Sequence, residues 1–300
     1  MFTIKKARSL STVTAPYVFI GPSMLFIIVL SILPILYSFY LSFLSYNLSM
    51  PASTIKFFGL QNYSYILTDK TFLGSIAWTL SFSIIVVALN VIVGMSLALL
   101  LNGSLMERAS SVFKTIFILP MMLAHVVTAT IWKLMFSPVY GIINNVLVML
   151  GFNKVNWIAD TENARFSLII VELWGSTPFC MLIFLAALKT VPKELYESAL
   201  IDGANRIRTF FGITLPLIRN FLALVVSIRI MDSLRMFDIV YTLTNGGPGN
   251  DTETIGTTIY KTAFRYSDIG AGSAGAFIFF ILIVIVTLVF LKLIRKESKD

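Results

Sequence analysis

Charge is absent from long stretches of this chain and returns in short bursts between them. No charged residue lies between Arg8 and Lys56, and the apolar part of that interval runs from about Tyr17 to Phe43. That run is too long for a signal-peptide core, and no small-residue cleavage site follows it, so a retained first helix is expected. Further apolar windows cover about Phe72–Leu101, Phe113–Met135, Arg165–Leu188, Ile218–Leu243 and Ala271–Ile294. The second is uncharged throughout, and the third carries Lys114 and Lys133 at its two ends. Each exceeds the roughly 20 residues that cross a ~30 Å hydrocarbon core. The pattern predicts an all-α membrane protein of six transmembrane helices, one membrane domain over residues 1–300.

Composition agrees with the pattern. Hydrophobic residues make up 57% of the chain and charged residues 13%, with a mean hydropathy of +0.87. Soluble domains carry roughly 45–50% and 25%, so a soluble fold and a disordered one are both excluded. The net charge of +8 does not point to nucleic acid, because the basic residues sit in short loops between apolar runs rather than on one soluble face. There they report orientation. Six spans put both termini on one side. If that side is cytoplasmic, fourteen Lys and Arg lie inside, among them Lys5, Lys6, Arg8, Arg108 and Lys299, against seven outside. The bias supports cytoplasmic termini. The outer loops, about 44–71, 136–164 and 244–270, are polar and too short for a separate domain. Cys180 and His125 are each single in the chain, which excludes an internal disulfide and a multi-Cys or His-cluster metal site. Cys180 and the methionines of span three are expected to pack.

One cytoplasmic segment is longer than a connector needs. Between Lys189 and Arg219, Thr190 is a candidate N-cap, Pro192 suits a first helical turn, and Glu194 and Glu197 complement the positive helix end. Gly203 can end that helix. A second short helix, about Asn205–Phe211, is expected to stop before Pro216. By its residues alone this helix–Gly–helix element is a docking lever or an amphipathic element lying on lipid headgroups.

The residues here carry a resemblance. Glu197-Ser198-Ala199, Asp202-Gly203-Ala204 and Ile213-Thr214-Leu215-Pro216 resemble the EAA…DGA…I-x-LP signature of ABC-importer permeases. Leu119-Pro120, Trp174–Pro178 and Leu243–Pro248 extend it, over roughly Asn62–Ile294, to the binding-protein-dependent sugar permeases typified by the maltose permease subunits. Ser198 departs from the usual alanine. The resemblance implies a type I importer permease fold in a bacterial or archaeal plasma membrane. It implies a heterodimer with a second permease subunit, two ATPase subunits that bind ATP and Mg, and an extracytoplasmic solute-binding protein. No catalytic residue and no cofactor are then expected in this chain. Within the coupling loop, residues 189–218, it assigns ATPase docking to Glu197, Ala199, Asp202, Gly203 and Ala204. Gly246, Gly247 and Pro248 would lie near the docked binding protein.

Span five carries Arg229, Asp232, Arg235 and Asp238 at three-residue spacing, and span four carries Glu172, a candidate partner for a span-five arginine. Ions inside a membrane mark a functional path by default. Neighbours three apart share a helix side, so they can also neutralise one another. Aligned without gaps on the larger maltose permease subunit, the family's sugar-contacting positions fall on Met121, His125, Gly175, Ser176, Phe179, Arg229 and Ser233. A sugar site needs aromatic faces and planar donors, which Trp174, Phe179 and Arg229 can supply. Arg229 and His125 differ from the family's small polar residues and would suit an acidic or phosphorylated sugar, such as a glycerol-phosphate ester or a uronate oligosaccharide. A lone histidine such as His125 is more often a satisfied core residue.

Gly270-Ala-Gly-Ser-Ala-Gly275 fits a dinucleotide fingerprint but opens a membrane span, where small residues instead allow close packing. No G-x-x-x-x-G-K-[ST] stretch is present, so a partner must hydrolyse ATP. An intramembrane enzyme would need a catalytic dyad, and no paired Asp or nucleophile–base pair appears in the spans. A secondary transporter uncoupled from ATP is the rival from another class; it has no use for the coupling loop.

Overall fold

The structure is a computed structural model that describes residues 15–103 and 110–297. Of the charges that set the expected topology, Lys5, Lys6, Arg8, Arg108 and Lys299 lie outside the described residues. Helices carry nearly all the regular structure described; two isolated β-bridges, Leu44 with Phe57 and Asn47 with Asp268, are the exceptions. Five helical runs are long and apolar enough to cross a membrane: Tyr17–Leu41, Lys70–Asn102, Thr161–Leu188, Arg206–Leu234 and Ile269–Phe290. A bent pair, Thr115–Met122 with His125–Met135, makes a sixth if it counts as one span.

The chain divides into two compact units. The first comprises residues up to Ile66 together with Thr262–Phe277. Its helices α1 (Ala15–Ile27) and α2 (Leu33–Leu41) join through a π turn at Ile28–Ile32. None of the central window of this run is buried, as expected of a helix solvated by lipid on every side. The following loop is held by Asn62, whose Nδ2 donates to the carbonyls of Ser42 (2.9 Å) and Leu44 (2.8 Å). Gly270 packs so closely here that a Cβ would lie 2.2 Å from the Leu44 carbonyl oxygen. A Cβ on Gly272 would lie 2.6 Å from that of Ala263. The glycines of the false dinucleotide fingerprint therefore serve close packing.

The second unit comprises Leu67–Lys261 and the chain from Ile278 onward. Helix α3 (Gln61–Thr68) leads into it, and α4 (Lys70–Asn102) packs along α8 (Thr161–Leu188). At the closest approach a Cβ on Gly94 would meet Cys180 Cβ at 2.7 Å. Thr177 Oγ1 donates to Asn90 Oδ1 at 3.0 Å across the same seam. One apolar cluster gathers Ala98, Met181, Phe184 and Ile218. A second gathers Phe82, Phe136, Leu168 and Ile239. Cys180 is buried in the first cluster, as its packing role required.

Three expectations need correction. Span three is not one straight helix. It is α5 (Ser110–Ile118), a 3-10 turn at Leu119–Met122, and α6 (His125–Met135), bent by 105°. Pro120 lies in the turn and cannot donate to a continuous ladder. Span five starts earlier and ends earlier than its hydropathy suggests. The short helix after Gly203, α10 (Arg206–Thr209), does not stop before Pro216; it runs through a π turn at Phe210–Thr214 into α11 (Leu215–Leu234). The π turn lets the ladder restart, so that Pro216 falls in a first turn, where an N–H is not needed. The same arrangement recurs in the first unit, where the Ile28–Ile32 π turn precedes Pro34. After α11 the chain breaks at Arg235–Phe237, and Asp238–Leu243 forms a separate helix, α12. Finally, Thr190 is not the N-cap of α9 (Lys193–Ile201). Its Oγ1 donates to the Ala187 carbonyl (2.7 Å) at the end of α8, and Pro192 takes the N-cap position instead.

The segments between the long helices carry short ones too: α7 (Ile142–Met149) and α13 (Ile255–Tyr260), which precedes α14 (Ile269–Glu297). Asn144 of α7 pins the loop beyond it, accepting from Val155 N (2.9 Å) and Trp157 Nε1 (3.2 Å).

Candidate functional site

The two helix breaks of the second unit meet at one cavity. His125 opens α6 just after the bend of span three, and Asp238 opens α12 just after the break of span five. The cavity, about 360 Å³, is lined by His125, Glu172, Arg229, Asp232, Arg235, Asp238 and the apolar break residues Met236, Phe237 and Ile239. Lys133 Nζ donates to the Thr242 carbonyl at 2.9 Å and ties α6 to α12.

Arg229 is the centre of the charge network and is only 6% exposed. Its Nη2 donates to Glu172 Oε1, and Ser176 Oγ donates to the same oxygen at 2.7 Å. Glu172 and Ser176 are four apart on α8, so both face the same way. Arg229 Nη1 reaches Asp232 Oδ2 at 3.5 Å, and Arg235 Nη2 reaches Asp232 Oδ1 at 3.5 Å. Arg229 Nε, also buried, has no hydrogen-bond partner among the described residues. Among the described residues Asp238 pairs with His125 alone, Oδ2 lying 4.0 Å from Nδ1, and both side chains are more than half exposed. The i,i+3 neutralisation expected for Asp232 and Arg235 is present; the partner of Arg229 is Glu172, 57 residues away. Desolvating two ions costs several kcal/mol each, so a buried pair of this kind needs a reason other than stability.

The expected sugar-contacting residues separate. His125 and Arg229 line the cavity, and Ser176 reaches it through Glu172. Ser233 is 1% exposed and donates to the Ile230 carbonyl at 3.1 Å. Phe179 packs against the first apolar cluster. Trp174 stands edge-on to Trp132 at 5.9 Å, Met121 is exposed in the 3-10 turn, and a Cβ on Gly175 would meet no atom within 4 Å. Asp232, Arg235 and Asp238 had been read only as a charge row, and Glu172 only as a possible counter-ion. Their three-residue spacing was the signal; the break that folds Asp238 back toward His125 was not visible in it. Among the described residues, no three His, Cys, Asp or Glu side chains are placed to hold a metal ion.

The segment expected to couple to the ATPase, from α9 to α11, is built by local chemistry. Helix α9 ends in a paired closure: Ala204 N donates to Ala199 O (2.9 Å) and Gly203 N to Leu200 O (3.1 Å). That is the Schellman arrangement, and it puts Gly203 at φ +73°, where a side chain is strained. Asn205 then caps the next helix, its Oδ1 accepting from Arg208 N at 2.8 Å. Ala199 is buried, whereas Glu197, Asp202, Leu200 and Ile201 face outward. Tyr196 Oη and Thr214 Oγ1 lie 3.0 Å apart and lock α9 to the start of α11.

The Gly246-Gly247-Pro248 turn rests on a second buried pair that the sequence did not flag. Lys261 Nζ donates to Glu253 Oε1 and to the Asn245 carbonyl (2.8 Å), and Thr258 Oγ1 donates to Glu253 Oε2 (3.0 Å). Thr254 Oγ1 donates to the Met236 carbonyl at 3.1 Å and anchors this loop to the cavity's break.

Residues 90–298 match the family described as "Binding-protein-dependent transport system inner membrane component". The chain belongs to this family. It is a transport permease component that crosses the membrane several times. The trehalose/maltose transport system permease protein MalF of Thermococcus litoralis is 39% identical over 282 residues, 93% of each chain. The arabinooligosaccharides permease protein AraP of Bacillus subtilis is 33% identical over 281 residues, 93% of this chain and 88% of its own. A solved bacterial ABC transporter for import of the acidic polysaccharide alginate has a chain that superposes with a TM-score of 0.83. That chain is 23% identical, with 94% of this chain and 95% of the other covered, a likeness of fold. The permease family expected from the EAA-like motif is the family found.

Proposed function

We propose that the chain is a permease subunit of an ATP-driven ABC importer that moves a sugar or oligosaccharide inward by alternating access. An extracytoplasmic solute-binding protein delivers the solute. Two ATPase subunits, which hold ATP and Mg, dock on α9 through Glu197, Ala199, Asp202, Gly203 and Ala204. A second permease subunit completes the membrane dimer, and the termini face the cytoplasm.

One observation carries the reading: two continuous helical runs join the charged cavity to the α9–Gly203 turn. From Glu172, α8 runs to Leu188, about 24 Å at 1.5 Å per residue. From Arg206, α10 and α11 reach Arg229 after about 34 Å at the same rise. A push on α9 is thus delivered to both partners of the Glu172–Arg229 pair. The relatives' names, trehalose/maltose and arabinooligosaccharides, support a carbohydrate. The Gly246–Pro248 turn, stiffened by Glu253 and Lys261, suits a docking point for the binding protein.

Reconstitution of the assembled importer in proteoliposomes tests the reading. ATP-dependent accumulation of a neutral saccharide is expected. Equal accumulation without the ATPase subunits would overturn it in favour of a secondary transporter.

A further inference from the structure

The loop between spans three and four was expected to be polar, and over its first half it is not. No charged residue lies between Lys133 and Lys154. Helix α7 carries much of that stretch, and it is built inside out for a helix in water. Its buried side chain is the polar Asn144. Its exposed arc is Ile142, Val146 and Met149, the last 84% exposed. These three stand at i, i+4 and i+7 and share one face. Tyr140, Leu150 and Phe152, just beyond the ends of the helix, are exposed as well. Asn145 is the exposed polar side chain of α7.

The fold does not let α7 turn that face inward. Asn144 accepts from Val155 N and Trp157 Nε1, and its Nδ2 donates to the Val155 carbonyl at 3.0 Å. A buried amide must keep its partners, so these three bonds fix the rotation of the helix. The apolar arc faces out because the polar residue is held in.

The level of α7 along the spans is fixed as well. Gly141, the residue before it, packs so closely on the end of α6 that a Cβ would lie 2.4 Å from the Met135 and Ser137 carbonyl oxygens. Beyond α7, the Trp157 carbonyl accepts from Ser167 Oγ of α8 at 2.9 Å, and the Trp157 ring lies 5.3 Å from that of Phe136. Helix α7 therefore sits beside the end of α6 and the start of α8, where two membrane-crossing runs end. At about 12 Å it is too short to cross the hydrocarbon core itself.

Lipid suits this face better than protein does. A protein interface carries about one hydrogen bond per 100–200 Å² inside a polar rim. The arc offers Asn145 at its edge and no other polar side chain. A bilayer boundary asks for no such bonds; it takes an apolar face among its acyl chains and holds side chains such as Tyr140 and Lys154 at the headgroups. Leu134, in the last turn of α6, is exposed too, so the apolar surface of that span continues to α7 with no charge between.

We propose that α7 is an interfacial helix, seated in the plane of the bilayer surface with Ile142, Val146 and Met149 among the acyl chains of one leaflet. In the proposed orientation that is the outer leaflet. The attraction is hydrophobic, since Lys154 is the one cation in the loop before α8, and zwitterionic lipid therefore suffices.

The test uses the assembled importer, without its binding protein, in nanodiscs of phosphatidylcholine alone. Val146→Cys or Met149→Cys carries an NBD fluorophore. The parent chain, whose single thiol is the buried Cys180, gives the labelling blank. Asn250→Cys, at an exposed position of the Gly246–Pro248 loop, gives the solvent reference. Lipid-borne nitroxides should quench both helix probes and place them about 5–10 Å below the headgroups, while aqueous iodide quenches them far less than the reference. Iodide quenching of both helix probes equal to that of the reference overturns the proposal, because the face is then in water. Protection from iodide and from nitroxide lipids together also overturns it, because a protein then covers the face. If one labelled variant fails to assemble, the other decides. Either failure leaves the importer reading standing, since that reading does not depend on what α7 touches.

Discussion

The second unit buries two Glu–cation pairs, and they are built to opposite ends. Glu253–Lys261, under the Gly246–Pro248 turn, is closed. Its ammonium has a carboxylate and a carbonyl, its second carboxylate oxygen has Thr258, and Gly246 packs on it so closely that no Cβ would fit. Glu172–Arg229 is open. It borders a cavity, leaves a guanidinium N–H unpaired, and shares its arginine with a second acid. A buried pair with every site filled holds a loop in one shape; one with sites left over is positioned to exchange partners with a solute. Burial alone, 8% exposure for Lys261 and 6% for Arg229, does not distinguish them.

The substitutions that follow separate the two pairs, in falling order of effect. Gly246→Val should be the most damaging. Gly246 sits at φ +82°, and a Cβ there would lie 2.4 Å from Glu253 Cγ. Loss of the assembled complex on size-exclusion chromatography is expected, and a normal yield would show that the closed pair has slack. Lys261→Met should cost about 3–5 kcal/mol, the usual result of stranding one buried ion, and should appear as a large drop in thermal stability. The double substitution Glu253→Leu with Lys261→Met should stay destabilised, because the Asn245 carbonyl loses its ammonium and Thr258 Oγ1 keeps the Thr254 carbonyl alone of its two acceptors.

At the open pair, stability and transport should part company. Glu172→Leu with Arg229→Met should cost no more than about 1–3 kcal/mol, since removal of both ions removes their desolvation cost and leaves Ser176 Oγ without its acceptor. Saccharide uptake by the same variant should fall at least about a hundredfold, a loss of roughly 2.7 kcal/mol of solute interaction. Retained uptake would reduce the open pair to a structural strut. Glu197→Lys and Gly203→Pro should stop uptake while leaving both pairs and solute capture by the binding protein intact. Proline holds φ near −65°, whereas Gly203 is at +73°. The smallest effect should come from Gly175→Ala. The added Cβ meets nothing within 4 Å, so stability should move by no more than about 0.5 kcal/mol.

Much of this molecule could be read along the chain. Among the described residues the apolar windows overlap every helix able to cross a membrane, and Gly203, legible as a helix end, has the left-handed φ of +73° that such an end needs. The charge row of span five was noticed, and Glu172 was named as a possible partner for an arginine. What escaped was tertiary. The run Ile218–Leu243 looked like one span because its hydropathy is continuous across the break at Arg235–Phe237. The Asn205–Phe211 helix seemed to end at Pro216 because a proline normally stops a ladder, and the π turn that accommodates it leaves no mark in composition. Glu253 and Lys261 read as ordinary loop charges; only the fold buries them.

The sequence by itself determined the apolar helices able to cross a membrane, the helix–Gly203–helix turn and the permease family. Helix length, capping and the Schellman closure depend on residues within a few positions of one another, and such local rules are written along the chain. The tertiary structure decided which ions are satisfied. Arg229 meets Glu172 across 57 residues because α8 and α11 pack face to face, and Asp238 meets His125 because two helices break at the same place. A charge shows its type in the sequence, but its partner depends on which helix faces meet.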